Sequence, residues 1–313
     1  MTSTLADRVL AGDPRAIARA ISRIENDDSS AGELVARIFS HTGRTYLIGV
    51  TGPPGAGKST LVDRLLTEFR AQQLSVGVIA VDPTSPFTGG AVLGDRLRMQ
   101  QHAGDSGVFV RSMATRGHLG GLARSTGDAA LVLDAAGFDI VIVETVGVGQ
   151  DEVDIIRMAD VSVVTLVPGT GDDVQALKAG IMEIADIFVV NKSDREGADR
   201  LVSAVEGNLA LHSYGNEEWR PPIVKTVATT GTGVPAVVEA IGRFRDHGVS
   251  QQVARRRSRA EYRLRELVTE RFMKHLEDDV LKEGEFTGLV DRIAARQVDP
   301  YTAADELLKR AVS

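Results

Sequence analysis

The chain has 313 residues, 43% of them hydrophobic and 4% aromatic, with 32 glycines and no cysteine, which allows one substantial core plus extensions and excludes disulfides and thiolate metal sites. A formal net charge of −7 argues against nonspecific binding to nucleic acid or to an anionic membrane. No apolar run approaches a membrane span, and residues 1–7 show neither a secretory core nor a transit-peptide bias, so the expectation is a soluble, cytoplasmic protein.

Residues 1–42 read as a helical extension. Pro14 is placed to open one helix, with Ile17, Ile21 and Ile24 on a face, and Leu34, Val35, Ile38 and Phe39 stripe another. From 43 to 250, apolar strands alternate with helical patterns, at 45–51, 75–82, 107–111, 138–144, 161–167, 186–191 and 223–228. That alternation predicts an α/β domain with a doubly wound, mostly parallel sheet and helices on both faces.

The first strand ends in Gly52-Pro53-Pro54-Gly55-Ala56-Gly57-Lys58-Ser59-Thr60, and an amphipathic segment with Leu61, Leu65, Leu66 and Phe69 follows. Strand, G-x-x-x-x-G-K-S loop and helix in this order make a phosphate-binding P-loop. Its glycines turn backbone N–H groups toward a phosphate, and the helix N-terminus adds its positive dipole end. Lys58 is the candidate for the β- and γ-phosphates, and the Ser59 hydroxyl for Mg²⁺.

Three acidic side chains compete for that metal. Asp82 ends the second strand, Asp95 follows in Gly94-Asp95-Arg96, and Glu144 ends the strand at 138–144. Mg²⁺ takes one or two carboxylates and keeps several waters, so not all three are direct ligands. Glu144-Thr145-Val146-Gly147 occupies the place of the D-x-x-G turn of many GTPases, where Gly147 would meet the γ-phosphate and sense its loss. Val148 stands where small GTPases orient the attacking water with Gln, which predicts slow intrinsic hydrolysis. Gln150 and the arginines at 96, 98, 111 and 116 are further candidates. Pro168-Gly169-Thr170-Gly171-Asp172-Asp173 is a Gly-rich turn after the strand Val161–Val167, either a loop near the nucleotide or a plain connection.

Asn191-Lys192-Ser193-Asp194 closes a buried strand. Such a box suits guanine, because the Asp194 carboxylate accepts from the ring imide and the exocyclic amine together, and adenine offers neither donor. Lys192 would pack along the base, and Asn191 would tie this loop to the P-loop. Small residues at 227–233, among them Ala228, Thr229 and Thr230, would let backbone N–H groups approach the base. The expected ligands are GTP and GDP with Mg²⁺.

Residues 251–313 form a second helical extension. Arg255-Arg256-Arg257-Ser258-Arg259 opens a long pattern with Leu264, Leu267, Val268, Phe272, Leu276 and Val280 at helix spacing. The basic run reads as a solvated face offset by Glu266, Glu270 and the acidic residues at 277–279. Asp299-Pro300-Tyr301 caps a last helix. The long stripe must be buried on its own domain or against a second copy; a homodimer is the expectation. The six histidines show no metal-ligand spacing.

The P-loop at 52–60, V-D-P-T-S-P (81–86), G-A-V-L-G-D-R-L-R-M (90–99), R-S-M-A-T-R-G-H-L-G-G-L (111–122), E-T-V-G-V-G-Q-D-E (144–152) and N-K-S-D (191–194) together resemble one family over nearly the whole chain. It is that of the methylmalonyl-CoA mutase-associated GTPases, the MeaB/ArgK group, to which human MMAA is related. The resemblance implies a homodimeric GTPase chaperone for an adenosylcobalamin-dependent acyl-CoA mutase, gating cofactor loading and protecting the mutase. It implies a Mg²⁺ region of Ser59, Asp82, Asp95 and Glu144, and a nucleotide-responsive switch at 168–180 that contacts the partner. No D-x-H-x-x-G cobalamin pattern occurs, so the mutase is expected to be a separate chain. An older description of the family as a transport kinase finds no H-R-D catalytic loop here. Metal-delivery GTPases share the P-loop but use Cys/His clusters that this sequence lacks; a nucleotide-dependent scaffold is the third alternative.

Overall fold

The computed structural model describes residues 3–82, 102, 104–114, 121–145, 157–169, 181–215, 217–248, 252–282 and 284–311. Seven strands, β1 (Tyr46–Thr51), β2 (Val76–Asp82), β3 (Val108–Ala114), β4 (Ile140–Glu144), β5 (Val161–Leu166), β6 (Ile187–Val190) and β7 (Ile223–Lys225), form one sheet in the order β3-β2-β4-β1-β5-β6-β7. Every pairing is parallel. Strands β4, β5 and β6 are buried along their whole length, which is why they read as unbroken apolar runs rather than as alternation. β1 lies between β4 and β5, so the loop that leaves it opens at the middle of the carboxyl edge, where doubly wound sheets bind ligands.

Helices α1 (Leu5–Leu10), α2 (Pro14–Glu25) and α3 (Ala31–Ile38) precede the sheet. Within it run α4 (Lys58–Ala71), α5 (Gly121–Ala135), α6 (Ala198–Leu209) and α7 (Val234–His247). Alternation of side chains across the sheet sorts the core. On one face Ile48, Val50, Ile142 and Val163 meet Leu61, Leu65 and Phe69 of α4 and Val237, Ile241 and Phe244 of α7. On the other, Val141, Val143 and Ile79 meet α5, while Val164, Phe188 and Val190 meet α6.

The stretch expected as an N-terminal helical extension packs as an outer layer on α5. Ile17, Ile21, Ile24, Leu34 and Ile38 share a core with Ala129, Val132 and Leu133. Asp13 caps α2 by accepting from the N–H groups of Arg15 and Ala16, ahead of Pro14 at the first helical position. Phe39 departs from the expected stripe: the helix tightens to a 3₁₀ turn at Phe39–His41, and the ring is 58% exposed. Compact units span Met1–Gln251 and Gln252–Ser313.

In the second unit α8 (Gln252–His275) runs into a π-helical turn, Leu276–Val280, followed by α9 (Glu285–Ala294) and α10 (Pro300–Ala311). Asp299 caps α10 by accepting from the N–H groups of Tyr301 and Thr302. The Arg310 guanidinium ties α10 to α9 by donating to Glu285 at 2.5 Å. That bond, helped by the Lys282 N–H, holds the Glu285 carboxyl down at about 2. Among the described residues, no helix is long and apolar enough to cross a membrane.

One carboxylate fixes the entry to β1. Asp134, near the end of α5 and buried, accepts from the backbone N–H groups of Gly43 (2.5 Å), Arg44 (3.2 Å) and Thr45 (3.1 Å). Asp134→Ala would hand those partly exposed donors back to water, at a net cost of about 1–3 kcal/mol for the lost charge-assisted bonds. Urea denaturation is expected to show that loss, with Asp134→Asn, which keeps one acceptor oxygen, losing less.

Candidate functional site

Gly52 begins the loop because no other residue fits. Its φ is +141°, and a Cβ added there would lie 2.0 Å from the Thr165 carbonyl oxygen of β5. The loop turns back through Ala56 N–H to Pro53 O at 3.1 Å, and α4 starts after Gly57, which is left-handed and offers no side-chain cap. The first N–H groups of α4 therefore face the loop, the arrangement that binds anions. Lys58 is buried, and its ammonium donates to Gly52 O at 2.7 Å and Pro53 O at 3.2 Å. The loop thus holds a positive charge close to its own backbone, in a low-dielectric place where a phosphate would feel it strongly.

Ser59, one residue on, donates its hydroxyl to Glu144 Oε1 at 2.6 Å. Glu144 is buried at the end of β4, in register with Val50 of β1 and Ala80 of β2. A second polar link lies beside it: Thr145 N–H donates to Val50 O at 3.0 Å, and the Thr145 hydroxyl donates to that of Thr51 at 2.9 Å, both side chains buried. Asp82 closes β2 opposite Ala114 of β3; its side chain, Asp95, Gly147 and most of 168–180 lie outside the described residues. So do Arg96, Arg98, Arg116 and Gln150. Among the described residues no three His, Cys, Asp or Glu side chains converge as a metal cluster. Arg111 points away from the loop: its guanidinium donates to Ser22 Oγ at 3.1 Å and Glu25 Oε2 at 2.6 Å, binding β3 to α2.

On the far side, Asn191 is the hub. Its buried amide donates to Ala56 O at 2.8 Å and accepts from Thr226 Oγ1 and Ala228 N–H, both at 3.1 Å. The P-loop, the β6 loop and the β7 loop meet on this side chain. The fit excludes a side chain at Gly57, whose added Cβ would come within 2.5 Å of Asn191 Nδ2. Lys192 adopts φ +54° and donates from Nζ to Gly55 O at 2.7 Å. Asp194 is exposed and its carboxylate makes no hydrogen bond or ion pair among the described residues. Ala228 is buried while Thr229 and Thr230 are exposed. Pattern reading misses Arg64, on α4, which donates to Ala228 O at 3.1 Å and Thr229 O at 2.9 Å. Nothing in its helical position distinguishes it from a solvated charge.

Gly52→Ala is expected to push the loop off β5 and lower GDP affinity by about a hundredfold or more, equivalent to about 2.7 kcal/mol. Gly137→Ala separates strain from this clash: there φ is +92° and a Cβ meets open space, so the loss is about 1–2 kcal/mol of stability. Fluorescence titration with GDP should find Gly137→Ala unchanged.

The family described as methylmalonyl Co-A mutase-associated GTPase MeaB matches residues 15–280. A putative GTPase of Pyrococcus abyssi is 51% identical, covering 100% of this chain and 97% of its own. The GTPase ArgK of Escherichia coli is 36% identical, covering 88% and 86%. The crystal structure of a LAO/AO transport system kinase superposes with a TM-score of 0.74 at 25% identity, covering 99% of this chain and 97% of that one. With a P-loop on the central strand of an all-parallel sheet, the chain binds and hydrolyses GTP, and it belongs to the MeaB family of methylmalonyl-CoA mutase-associated GTPases.

Proposed function

We propose that this GTPase is Mg²⁺-dependent and serves as a chaperone for a separate adenosylcobalamin-dependent mutase of the methylmalonyl-CoA type, gating cofactor loading and protecting that enzyme. The observation that carries the catalytic half is the 2.6 Å contact between Ser59 and Glu144. A hydroxyl from the first turn of α4 and a carboxylate from the end of β4, both hard oxygen donors, converge beside the P-loop, a donor set that suits Mg²⁺. In this reading Ser59 and Glu144 hold the cation, with Asp82 and Asp95 as the other candidates. Bound there, Mg²⁺ would neutralise charge on the β- and γ-phosphates. Lys58 releases its carbonyl partners for the phosphates, and the N–H groups opening α4 bind phosphate oxygens. Gly147 senses the γ-phosphate. Asn191, Lys192 and Asp194 with Ala228, Thr229 and Thr230 hold the guanine.

The mutase half is supported by the family description, and by a mouse relative, the mitochondrial methylmalonic aciduria type A homolog. That protein is 33% identical and covers 85% of this chain, which in turn spans 65% of its length. The loop at 168–180 is the proposed partner-facing switch. The second unit is proposed to pair with another copy of itself, because Leu264, Val268, Phe286 and Val290 on its helices are 45–63% exposed and an apolar stripe of that kind needs cover.

Chelating Mg²⁺ is expected to abolish hydrolysis, and Glu144→Gln to lower kcat by about two orders of magnitude with a smaller change in KM for GTP. A variant with unchanged kcat removes Glu144 from the reaction. With a nonhydrolysable GTP analogue, a methylmalonyl-CoA mutase from the same organism should co-elute in size-exclusion light scattering with two copies of this chain. Independent elution, together with GTP turnover indifferent to the mutase, counts against the chaperone reading.

A further inference from the structure

We propose that Arg64 is the positioning residue that sets this protein's preference for guanine, acting through the backbone of the loop at 228–230. The inference rests on the base-side reading of Asn191, Asp194 and that loop. Arg64 lies on the helix that opens with Lys58 and Ser59, six residues and about 9 Å along its axis. Its two bonds run to the carbonyls of successive residues, Ala228 and Thr229, so a rigid planar fork grips one short stretch of backbone.

The grip has a directional consequence. In a trans peptide the C=O and the next N–H point in opposite directions, and among the described residues no peptide bond is cis. Drawing the Ala228 carbonyl toward α4 therefore turns the Thr229 N–H away from it. The neighbouring donors are spent within the fold: Ala228 N–H on Asn191 Oδ1 and Thr230 N–H on Val227 O at 3.0 Å. Among the described residues the Thr229 N–H makes no hydrogen bond, so of these three donors it is left for a ligand.

An aimed N–H beside an acceptor carboxylate at Asp194 recognises a ring edge that carries a carbonyl next to N–H donors. Guanine has that edge. Adenine presents an amino group to the N–H and a bare ring nitrogen to the carboxylate, so both contacts fail. Release of the Arg64 fork lets the Ala228–Thr229 peptide rotate, and the donor loses its aim while the phosphate contacts remain.

The test is equilibrium binding of GDP and, by competition, ADP to the full chain carrying Arg64→Ala, Arg64→Lys or Asp194→Asn, with melting curves for each. For Arg64→Ala, GDP affinity is expected to fall about tenfold with ADP unchanged. The guanine-to-adenine ratio then contracts by the same factor. Arg64→Lys, which can keep one bond but not the fork, is expected to fall between and serves alone if the alanine variant does not fold. Equal losses for both nucleotides, or no loss, overturn the proposal and leave Arg64 a structural tether. Asp194→Asn is expected to abolish the guanine preference. If it does not, the base-side reading fails and takes the Arg64 proposal with it, whereas a normal Asp194→Asn result with an indifferent Arg64→Ala sinks the proposal alone.

Discussion

Gly52 is where the chain turns off β1 against the backbone of β5, and the Thr165 carbonyl oxygen occupies the point where a side chain would begin. Because β1 is held between β4 and β5, neither the strand nor its neighbour can retreat. The loop must therefore start in one direction, and its later features inherit that start. The left-handed Gly57 sets the first turn of α4, Lys58 folds back on the carbonyls of Gly52 and Pro53, and Ser59 reaches Glu144. A rigid start of this kind means little reorganisation when charge arrives, which is how preorganised donors gain their strength.

The remaining polar network carries this order sideways. Asn191 joins Ala56, Thr226 and Ala228, and the Thr51–Thr145 hydroxyl bond joins the stem of the P-loop to the turn after β4. At the opposite edge of the sheet, carboxylates fasten strand entries: Asp134 on the residues before β1, Asp160 on Leu47 N–H at 2.8 Å, and Asp186 on Ser162 N–H at 2.9 Å. Each gives backbone donors at a strand entry a charged acceptor, and the Ser162 N–H among them belongs to a buried residue. The same chemistry serves two ends: at one it secures the scaffold, at the other it shapes the site.

The division between what was legible in the sequence and what was not follows the range of the interaction. Strands β4, β5 and β6 could be read because burial on both faces demands apolar residues throughout. The P-loop, and the tie from Asn191 to it, could be read because their signals are held within a few consecutive residues. Arg64, Asp134 and the Thr51–Thr145 pair act on partners about ninety or more positions away, and a polar residue in a helix or at a strand end looks the same whether it meets water or a distant carbonyl. Phe39 misled for the reverse reason: its spacing continued a stripe, but the helix tightened before the ring could turn inward. Arg111 was one of several candidate cations, and only the packing of α2 against β3 shows where it points.

A single amide at Asn191 bonds both the P-loop and the loop after β7, the proposed seats of the phosphates and of the purine. On that reading the two seats share one mechanical element, and any coupling it carries would be reciprocal. A strain or relaxation entering at either end would then shift the affinity at the other by the same factor. Loss of a phosphoryl group would then be felt at the ring as well as at the break, and product and substrate would differ in grip along their whole length.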